Sequence, residues 1–353
     1  MGDLMQVVST IIAEKICQIG KGQGRNSEVY LAHDPQLNGK IALKEIPINE
    51  FPDSTKYFSE AQKVYQNKHR HVVPVLYAAR DTDKIRIAMP YFKNGTVQDV
   101  LNKEYLTVNQ ILIWSYQFLL GLHHIHSNGY IHFDLKPSNL LIHDDGSVMV
   151  SDFGQSQEVN DLGVAENPRM YLMHFPPEVF LYSKSTKQAD IYQAGLTLYR
   201  MCNGDEFFKS QKPLDVYELR DKVLNGKFPD RKKFLPHIPS RLKRIIRKAL
   251  KVDPSERYQT AMDMINDLGQ VDPLQDWKYF KLQNGVKWIS RNYDHQYVIK
   301  IEEIKGSWHI IGYTIRLADG LKRLRKSWCG GPYNTYLQAM DAASKIFKRM
   351  EEG

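Results

Sequence analysis

Cysteines and long apolar runs are both scarce in this sequence, and each shortage excludes a class of protein. Its three cysteines, Cys17, Cys202 and Cys329, are too few for a disulfide framework and too far apart for a metal site. No run approaches the roughly 18 apolar residues of a transmembrane helix. The N-terminal region also lacks the basic start, apolar middle and small-residue cleavage site of a signal peptide. We therefore expect a cytoplasmic protein that does not contact a membrane.

Internal repeats and low-complexity linkers are also lacking, so domain boundaries have to be inferred from composition. A chain of 353 residues is too long for one ordinary core, which favours two or three domains. The net charge is +8, and residues 271–353 contribute +5 of it, with 14 Lys and Arg against 9 Asp and Glu. Four of the five tryptophans lie in the same stretch. This shift predicts a domain boundary near residue 270.

Hydrophobic patterning divides the rest of the chain into a strand-rich part and a helical part. Short runs rich in Val, Ile and Tyr predict strands over 14–22, 27–34, 39–48, 72–80 and 84–92. An amphipathic stretch between them predicts one helix over 53–68. Helical spacing of apolar residues then dominates, most clearly over 108–129, 187–204 and 240–252. We therefore expect a small sheet domain followed by a larger helical one.

The tail beyond residue 270 has the pattern of a separate α+β domain. Five strand-like runs, the last over 321–331, are separated by turns at Asn284-Gly285, Lys305-Gly306 and Asp319-Gly320. Asn-Gly and Asp-Gly pairs are strong hairpin signals. Residues 334–350 then predict a closing helix with Asn334 as its cap. The pattern predicts a β-meander plus one helix.

A glycine-rich turn joins the first two predicted strands. Gly22, Gly24 and Ser27 keep its side chains small, which lets backbone N–H groups approach phosphate oxygens. No Gly-Lys-Ser/Thr follows, so the turn is not a P-loop. A plain hairpin is an equally good explanation, and the turn alone is weak evidence for a nucleotide site.

A lysine inside an apolar strand is the second signal. Lys44 and Ala42 share one face of the strand because side chains alternate. A lysine beside a small residue can hold a phosphate if an acid orients it. Glu60 on the predicted helix is available for this, although a solvated helix charge is its simpler interpretation.

Two polar segments in the helical half carry groups suited to a magnesium-dependent site. The stretch YIHFDLKPSNLLI contains Asp134, Lys136 and Asn139 between apolar ends, and Asp152 follows 13 residues after Asn139. The run between Asn139 and Asp152 predicts a hairpin that brings their oxygens together. Carboxylate and amide oxygens are the ligands that Mg²⁺ prefers. Asp134 would be a free carboxylate facing the same site.

In this order and spacing, the motifs resemble those of eukaryotic-type protein kinases over residues 14–268. Pro176–Glu178, Asp190 and Arg257 complete the pattern, with Glu178 and Arg257 expected as a buried ion pair. The resemblance is strongest to soluble bacterial members of the eukaryotic-like Ser/Thr kinases. It implies an α+β, two-lobed kinase fold. The N-lobe would span 14–90 and the C-lobe 93–268, after an extension over 1–13 and before an α+β accessory domain over 269–353.

The resemblance also implies a role for each motif residue, with ATP and Mg²⁺ as cofactors and Mn²⁺ as a substitute metal. Asp134 would accept or orient the proton of the substrate hydroxyl, and Lys136 would neutralise the transferred phosphoryl group. Lys44, positioned by Glu60, would contact the α- and β-phosphates. The remaining residues would bind ATP or metal: Gly22, Gly24 and Ser27 over the phosphates, Val29, Ala42 and Leu141 around adenine, Met89, Tyr91 and Phe92 at the gatekeeper and hinge, and Asn139 and Asp152 on the metal.

Phe133 departs from the family pattern, which has an arginine there. In most regulated kinases that arginine receives a phosphate from the activation loop. Within 152–178 the hydroxyl residues are Ser156 and Tyr171, so few acceptors are present. We expect a kinase that does not require activation-loop phosphorylation.

The sequence leaves two alternatives open, one for the acceptor residue and one for catalysis itself. Tyr171 stands where Ser/Thr kinases usually carry a Thr, so strict Ser/Thr and dual specificity both stay open. A pseudokinase scaffold is the alternative function. The intact set of motif residues favours an active enzyme with protein substrates.

The tail supports a less specific prediction. Its tryptophans, mixed with Lys322, Arg323, Arg325 and Lys326, fit nucleic-acid binding through phosphates and stacked bases. An aromatic sheet core with basic residues on its wet face is the favoured interpretation. We expect a module that recruits a protein substrate or partner, or that holds the kinase domain, with nucleic-acid binding as the alternative.

Overall fold

The structure of the chain is a computed structural model that describes residues 10–20, 27–51, 53–273 and 275–352. A sheet, a helical lobe and a second sheet follow one another along the chain, and the predicted α+β class is confirmed. Over the described ranges, no helix combines the length and apolarity needed to cross a membrane.

The first lobe is an antiparallel sheet with the lysine-bearing strand at its centre. The strands are β1 (Glu14–Ile19), β2 (Glu28–Asp34), β3 (Gly39–Pro47), β4 (Tyr77–Arg80) and β5 (Lys84–Pro90), in the order β1-β2-β3-β5-β4. Ile41 and Leu43 of β3 are buried on one face. Because side chains alternate along a strand, Ala42 and Lys44 point to the other face.

Two predictions for this lobe are wrong in extent. The helix predicted over 53–68 is a 3₁₀ turn at Ser54–Lys56 followed by α1 (Ser59–Gln66), with non-helical backbone at Phe58 between them. The strand predicted over 72–80 begins only at Tyr77. Its first residues pair elsewhere, since the Val73 N–H donates to the Val150 carbonyl in the second lobe at 2.9 Å.

The second lobe is built around two long helices. α3 (Val108–Ser127) is capped at its start by Thr107, whose hydroxyl oxygen accepts a hydrogen bond from the backbone N–H of Gln110. Asn128 is the cap residue at its end. α4 (Gln188–Asn203) is buried along its whole length. The other helices of this lobe are α2 (Val97–Leu101), α5 (Asp205–Lys209), α6 (Val216–Leu224), α7 (Ser240–Ala249) and α8 (Ala261–Leu268).

Short strands at the front of the second lobe carry the polar motifs. They are β6 (Tyr130–Ile131), β7 (Leu140–Ile142), β8 (Val148–Val150), β9 (Gln157–Glu158), β10 (Ala165–Glu166) and β11 (Lys184–Ser185). β7 and β8 form the predicted hairpin. Further 3₁₀ turns lie at Ile48–Glu50, Pro137–Asn139, Phe153–Gln155, Leu172–His174, Pro177–Phe180, Pro254–Glu256 and Lys326–Trp328. The expected ion pair of Glu178 and Arg257 is confirmed, buried and 2.6 Å long.

The C-terminal domain is an antiparallel sheet with a helix on one face. Strands β12 (Lys278–Leu282), β13 (Gly285–Arg291), β14 (His295–Ile304), β15 (Ser307–Arg316) and β16 (Lys322–Leu324) lie side by side in chain order, and β17 (Gly330–Tyr333) pairs with β15. All three predicted turns are confirmed. Helix α9 (Tyr336–Glu352) buries Ile346 and Phe347 against Trp277 and Trp288. Tryptophans of the tail therefore lie in its core, which is the interpretation that we favoured from the sequence.

Two details predicted for the tail are wrong. Thr335 rather than Asn334 caps α9, because the Thr335 hydroxyl oxygen accepts a hydrogen bond from the Gln338 N–H at 3.2 Å. The strand predicted over 321–331 is interrupted by the 3₁₀ turn at Lys326–Trp328. That turn brings the Trp328 ring to 6.0 Å from the Trp277 ring, and the packing replaces strand pairing there.

The C-terminal domain docks on the helical lobe. Each contact joins a residue of the domain to one of the lobe: Trp288 to His237, Tyr279 to Tyr105, Lys278 to Glu104, Lys281 to Glu206 and Glu351 to Ser240. The first contact is fully buried, and Trp288 Nε1 donates to His237 Nδ1 at 3.1 Å. Burial lowers the pKa of His237 to about 3, so its ring is neutral and can accept this bond. Aromatic packing at the centre and ion pairs at the rim hold the domain in place.

Replacing Tyr105 with Ala is expected to loosen the docked domain. Its ring meets the Tyr279 ring edge-on with centroids 4.6 Å apart, an arrangement worth about 1 kcal/mol beyond the buried area. Amide hydrogen exchange in β12 should therefore accelerate in Tyr105→Ala and stay at the wild-type rate in Tyr105→Phe, which keeps the ring. Equal exchange in all three proteins would show that this contact does not hold the domain.

Candidate active site

A cavity of about 510 Å³ lies between the two lobes and brings most of the predicted site residues together. Its described lining is Ile19, Gly20, Ser27, Val29, Ala42, Lys44, Glu60, Met89, Pro90, Tyr91, Phe92, Lys93, Gly95, Thr96, Asp99, Ser138, Asn139, Leu141, Ser151 and Asp152. Asp134 and Lys136 lie beside it, connected through Asn139. Gly22 and Gly24 lie outside the described residues.

Lys44 is the central cation of the cavity. Its Nζ donates to Glu60 Oε1 at 2.7 Å and to Asp152 Oδ1 at 2.9 Å. Burial lowers the pKa of Lys44, but the two carboxylates outweigh burial and raise it above its ordinary value. The lysine therefore stays charged, and α1 and the segment after β8 are both tied to β3 by it. Glu60 is thus an ion-pair partner, not the solvated helix charge that its position alone suggested.

Asp134 and its neighbours form a second polar group beside the first. Lys136 Nζ donates to Asp134 Oδ1 at 2.9 Å and Oδ2 at 2.7 Å, and Asn139 Nδ2 donates to Oδ2 at 2.8 Å. The expected free carboxylate is therefore wrong, because two donors hold it. Burial raises the pKa of Asp134, and Lys136 opposes that rise. A carboxylate with a raised pKa is the better proton acceptor.

The loop that presents Asp134 has a strained backbone held by α4. Phe133 has φ +63°, a left-handed conformation that costs about 1–3 kcal/mol for a residue with a side chain. Asp190 of α4 accepts hydrogen bonds from the backbone N–H groups of His132 and Phe133, both at 2.7 Å. Gln193 of the same helix donates to the Phe133 carbonyl at 2.8 Å. The fully buried helix thus fixes the orientation of the loop.

One part of the cavity is lined by the apolar side chains expected around adenine. Val29 and Ala42 line it from the first lobe and Leu141 from the second. Met89 pairs with Ala42 across β3 and β5, and Phe92 packs with Met89 and Leu141. Tyr91 also lines this part, and so does Ser27, which follows the glycine-rich turn in the sequence.

The predicted metal ligands fit a site that phosphates would complete. The amide nitrogen of Asn139 donates hydrogen bonds to Asp134, which leaves the amide oxygen of Asn139 available as a metal ligand. The Lys44 ammonium lowers the pKa of Asp152 to about 2, so this carboxylate is ionised at neutral pH. Lys44 donates a hydrogen bond to Oδ1 of Asp152, and no described side chain donates to Oδ2. Mg²⁺ is commonly held by one or two carboxylate or amide oxygens together with phosphates and water.

Two features of the site were not predicted. Thr96 and Asp99 at the cavity edge form a capping box at the start of α2, and the T-x-x-D spacing is a signal that could have located it. Under the loop that presents Asp134, His174 Nδ1 donates to the Leu135 carbonyl at 3.0 Å, and Arg200 donates to His174 Nε2 at 3.0 Å. Burial lowers the pKa of His174 well below its ordinary value, so the neutral ring bridges the two. No spacing in the sequence brings these groups together.

Comparison with known proteins identifies the family. The model of the protein kinase domain matches residues 14–268. The chain is similar to Serine/threonine-protein kinase PrkC of Bacillus subtilis, with 29% identity over 258 residues, 70% of this chain and 39% of that protein. It is 30% identical to a probable serine/threonine-protein kinase of Clostridium perfringens over 257 residues, 71% of this chain and 37% of that one. Serine/threonine-protein kinase STE20 of Eremothecium gossypii is 27% identical over 247 residues, 70% of this chain and 25% of that one.

The match covers most of this chain but under two-fifths of each of these relatives, with 39% as the largest share. The two lobes, their order and the matched range agree, so the predicted kinase fold is confirmed. The chain belongs to the protein kinase domain family.

Proposed function

We propose that this chain is an active kinase that transfers the γ-phosphoryl group of ATP to Ser or Thr hydroxyls of protein substrates. The observation that supports this most is that one bonded group lines the cavity between the lobes and a second lies directly beside it. Asp134 with Lys136 forms one of them, and Lys44 with Asp152 forms the other. Relatives named as Ser/Thr kinases support the acceptor class.

Each residue would have a distinct part in the reaction. Lys44 would hold the α- and β-phosphates, and Lys136 would offset charge on the γ-phosphoryl group. As the acceptor oxygen bonds to phosphorus and the bond to the ADP oxygen breaks, Asp134 would take the acceptor's proton. Asn139 and Asp152 would hold Mg²⁺, which when bound neutralises phosphate charge.

An apolar contact supports the proposal that activation-loop phosphorylation is not required. The Phe133 ring is fully buried and packs with Ala165 and Met170 of the activation segment. The segment is also held by backbone pairing, with β9 on β6 and β10 on β11. Lys63 of α1 donates to the Ser156 carbonyl as well. Hydrophobic packing and strand pairing here do what a phosphate–arginine contact does in other kinases.

Removing the hydroxyls of the activation segment is therefore expected to leave activity within about twofold of wild type, because Tyr171→Phe keeps the ring and Ser156→Ala removes one long hydrogen bond. Ser156 is fully buried and donates to the His132 carbonyl at 3.4 Å, so a kinase cannot reach it without opening the fold. Tyr171 is 40% exposed. The measurement is kcat/KM of the Ser156→Ala, Tyr171→Phe double variant, with phosphosites mapped by mass spectrometry. Loss of most activity in a folded variant would contradict the proposal.

The function is tested by supplying Mg²⁺, ATP and a peptide library with Ser, Thr or Tyr as its single acceptor. Label on Ser and Thr peptides is the expected result. Label on Tyr peptides at a comparable rate would establish dual specificity instead. A pseudokinase scaffold predicts that no peptide is labelled although ATP binds.

We further propose that the C-terminal domain recruits a partner to the kinase, and that the protein acts in the cytoplasm. The domain is docked on the helical lobe through the Trp288–His237 contact, so a bound partner would stay near the active site. Three cysteines without a disulfide suit a reducing compartment.

A further inference from the structure

The C-terminal sheet has one face covered by α9 and a second face opposite to it. We call the second face the open face. The strand register assigns it these side chains: Lys278, Phe280, Leu282, Lys287, Ile289, Arg291, Gln296, Val298, Lys300, Glu302, His309, Ile311, Tyr313, Ile315, Lys322 and Leu324. Among the described residues, their hydrogen bonds, ion pairs and ring contacts run within the face, except that Lys278 pairs with Glu104.

The register sets these side chains in rows that run across the strands. One row consists of Phe280, Lys287, Lys300 and Ile311, and its neighbour of Lys278, Ile289, Val298, Tyr313 and Leu324. With neighbouring strands about 4.8 Å apart, five strands give a platform roughly 19 Å wide. Cations, aromatic rings and aliphatic side chains are mixed over it instead of being separated into a basic rim and an apolar centre.

The open face has an excess of positive charge. Lys278, Lys287, Arg291, Lys300 and Lys322 lie on it with Glu302 as the single acid. Lys287 and Lys300 are direct cross-strand neighbours, and like charges in that position are destabilising. Glu302 pairs with Lys300 at 2.6 Å, whereas no carboxylate of the described residues is within ion-pair distance of Lys287. An anionic partner would relieve this repulsion.

Lysine ammonium groups lie over the aromatic rings of the open face. Lys322 Nζ lies 3.7 Å from the centre of the Tyr313 ring, and Lys287 Nζ lies 5.2 Å from that of Phe280. Each pair presents a positive group and a flat ring together. Each nucleotide of a single strand offers a phosphate and a flat base, which are the matching groups. An acidic peptide offers the charge but no flat ring at each step.

We propose that the open face binds single-stranded nucleic acid. Single-stranded nucleic acid would be the partner recruited by the C-terminal domain, so this inference rests on the proposed recruitment. It does not rest on the proposed kinase activity, because binding requires no phosphate transfer. The phosphates contact Lys287, Arg291 and Lys322. The two lysine ammonium groups turn from the faces of Phe280 and Tyr313 to the phosphates, and bases stack on the rings in their place. From the sequence, we expected the basic residues of this sheet to be solvated only. The mixture of cations and aromatic rings on the open face instead favours a ligand that carries both phosphates and flat bases.

The test is fluorescence anisotropy of the full chain with labelled single-stranded DNA and RNA of about 20 nucleotides, at about 50 and 200 mM salt. The Lys287→Ala, Arg291→Ala, Lys322→Ala triple variant removes three charges from the open face. The matched control, Lys345→Ala, Lys348→Ala, Arg349→Ala, removes three from the exposed side of α9 in the same domain. Melting temperatures check the fold, and the exposed Lys322→Glu variant replaces the triple variant if that one is destabilised.

The open-face variant is expected to bind at least tenfold more weakly and to lose about 2 from the slope of log K against log salt, since each phosphate contact contributes about 0.7. The control should bind within about twofold, as non-contacting charges do at moderate salt. Asp134→Asn should bind like wild type, which separates this test from the kinase proposal. Equal loss in both triple variants, or no binding at the lower salt, overturns the proposal. So does equally tight binding of a Glu-rich peptide of matched charge, which would assign the face to a protein.

Discussion

Asp134→Asn is expected to lower kcat for phosphate transfer by about 10²–10⁴-fold, the range for loss of a positioned general base. The amide has the shape of the carboxylate but cannot take the acceptor's proton. Asp134 is not among the residues that line the cavity between the lobes, so KM for ATP should change little. Steady-state kinetics with a peptide acceptor measure both constants. A variant with kcat close to wild type would remove Asp134 from the mechanism.

Asp144→Asn is the matched control for this substitution. Asp144 is an exposed aspartate in the turn between β7 and β8, and it forms a surface ion pair with Lys93 at 3.3 Å. Such pairs contribute about 0–1 kcal/mol, so the same chemical change there should leave kcat at the wild-type value. An equal loss in both variants would point to damage of the hairpin instead of to loss of a base.

Lys44→Met is expected to lower kcat/KM for ATP by about 10²–10³-fold, as removal of one preorganised charge at a reacting centre does. Lys44 is 8% exposed and bonded to both Glu60 and Asp152, so the variant also leaves two carboxylates without their shared cation. Because Lys44 holds the pKa of Asp152 down, that pKa should rise in the variant. In the proposed mechanism Asp152 holds Mg²⁺ as the ionised carboxylate, so activity should be lost at a higher pH than in wild type as the pH falls.

The measurements for Lys44 are kcat/KM for ATP against pH and an Mg²⁺ titration at neutral pH. Lys40→Met is the control, since Lys40 lies on the same strand with an exposed side chain. Identical kinetics in Lys40→Met and Lys44→Met would contradict a phosphate-binding role. An unchanged acid limb in Lys44→Met would contradict the electrostatic link to Asp152.

The groups that the sequence predicted best are those fixed by local geometry. Alternation along β3 puts Lys44 on the face of Ala42, and the β7–β8 hairpin brings Asn139 toward Asp152. Both follow from the period of a strand and from a turn, which are readable from neighbouring residues. The buried pair of Glu178 and Arg257 came from the family resemblance, since 79 residues separate them.

What could not be predicted depends on contacts between distant segments. His174 contacts Arg200 because the 3₁₀ turn at Leu172–His174 lies against α4. Phe133 is buried in a cluster with Ala165 and Met170, which lie more than 30 residues away in the sequence. Alternation along the C-terminal strands separates two faces, but it does not say which one α9 covers. The position of α9 depends on tryptophan packing, and the open face is known only after that.

Phosphate transfer from ATP to Ser and Thr of proteins is the function proposed for this chain. The most direct measurement uses ATP with ¹⁸O-labelled γ-phosphate, Mg²⁺ and a protein acceptor, followed by mass spectrometry of wild type and Asp134→Asn in parallel. The proposed function predicts ¹⁸O-labelled phosphoserine and phosphothreonine with the wild type and at most trace label with the variant. Absence of label with a wild-type protein that binds Mg²⁺ and ATP would contradict the claim and leave a scaffold with a kinase fold.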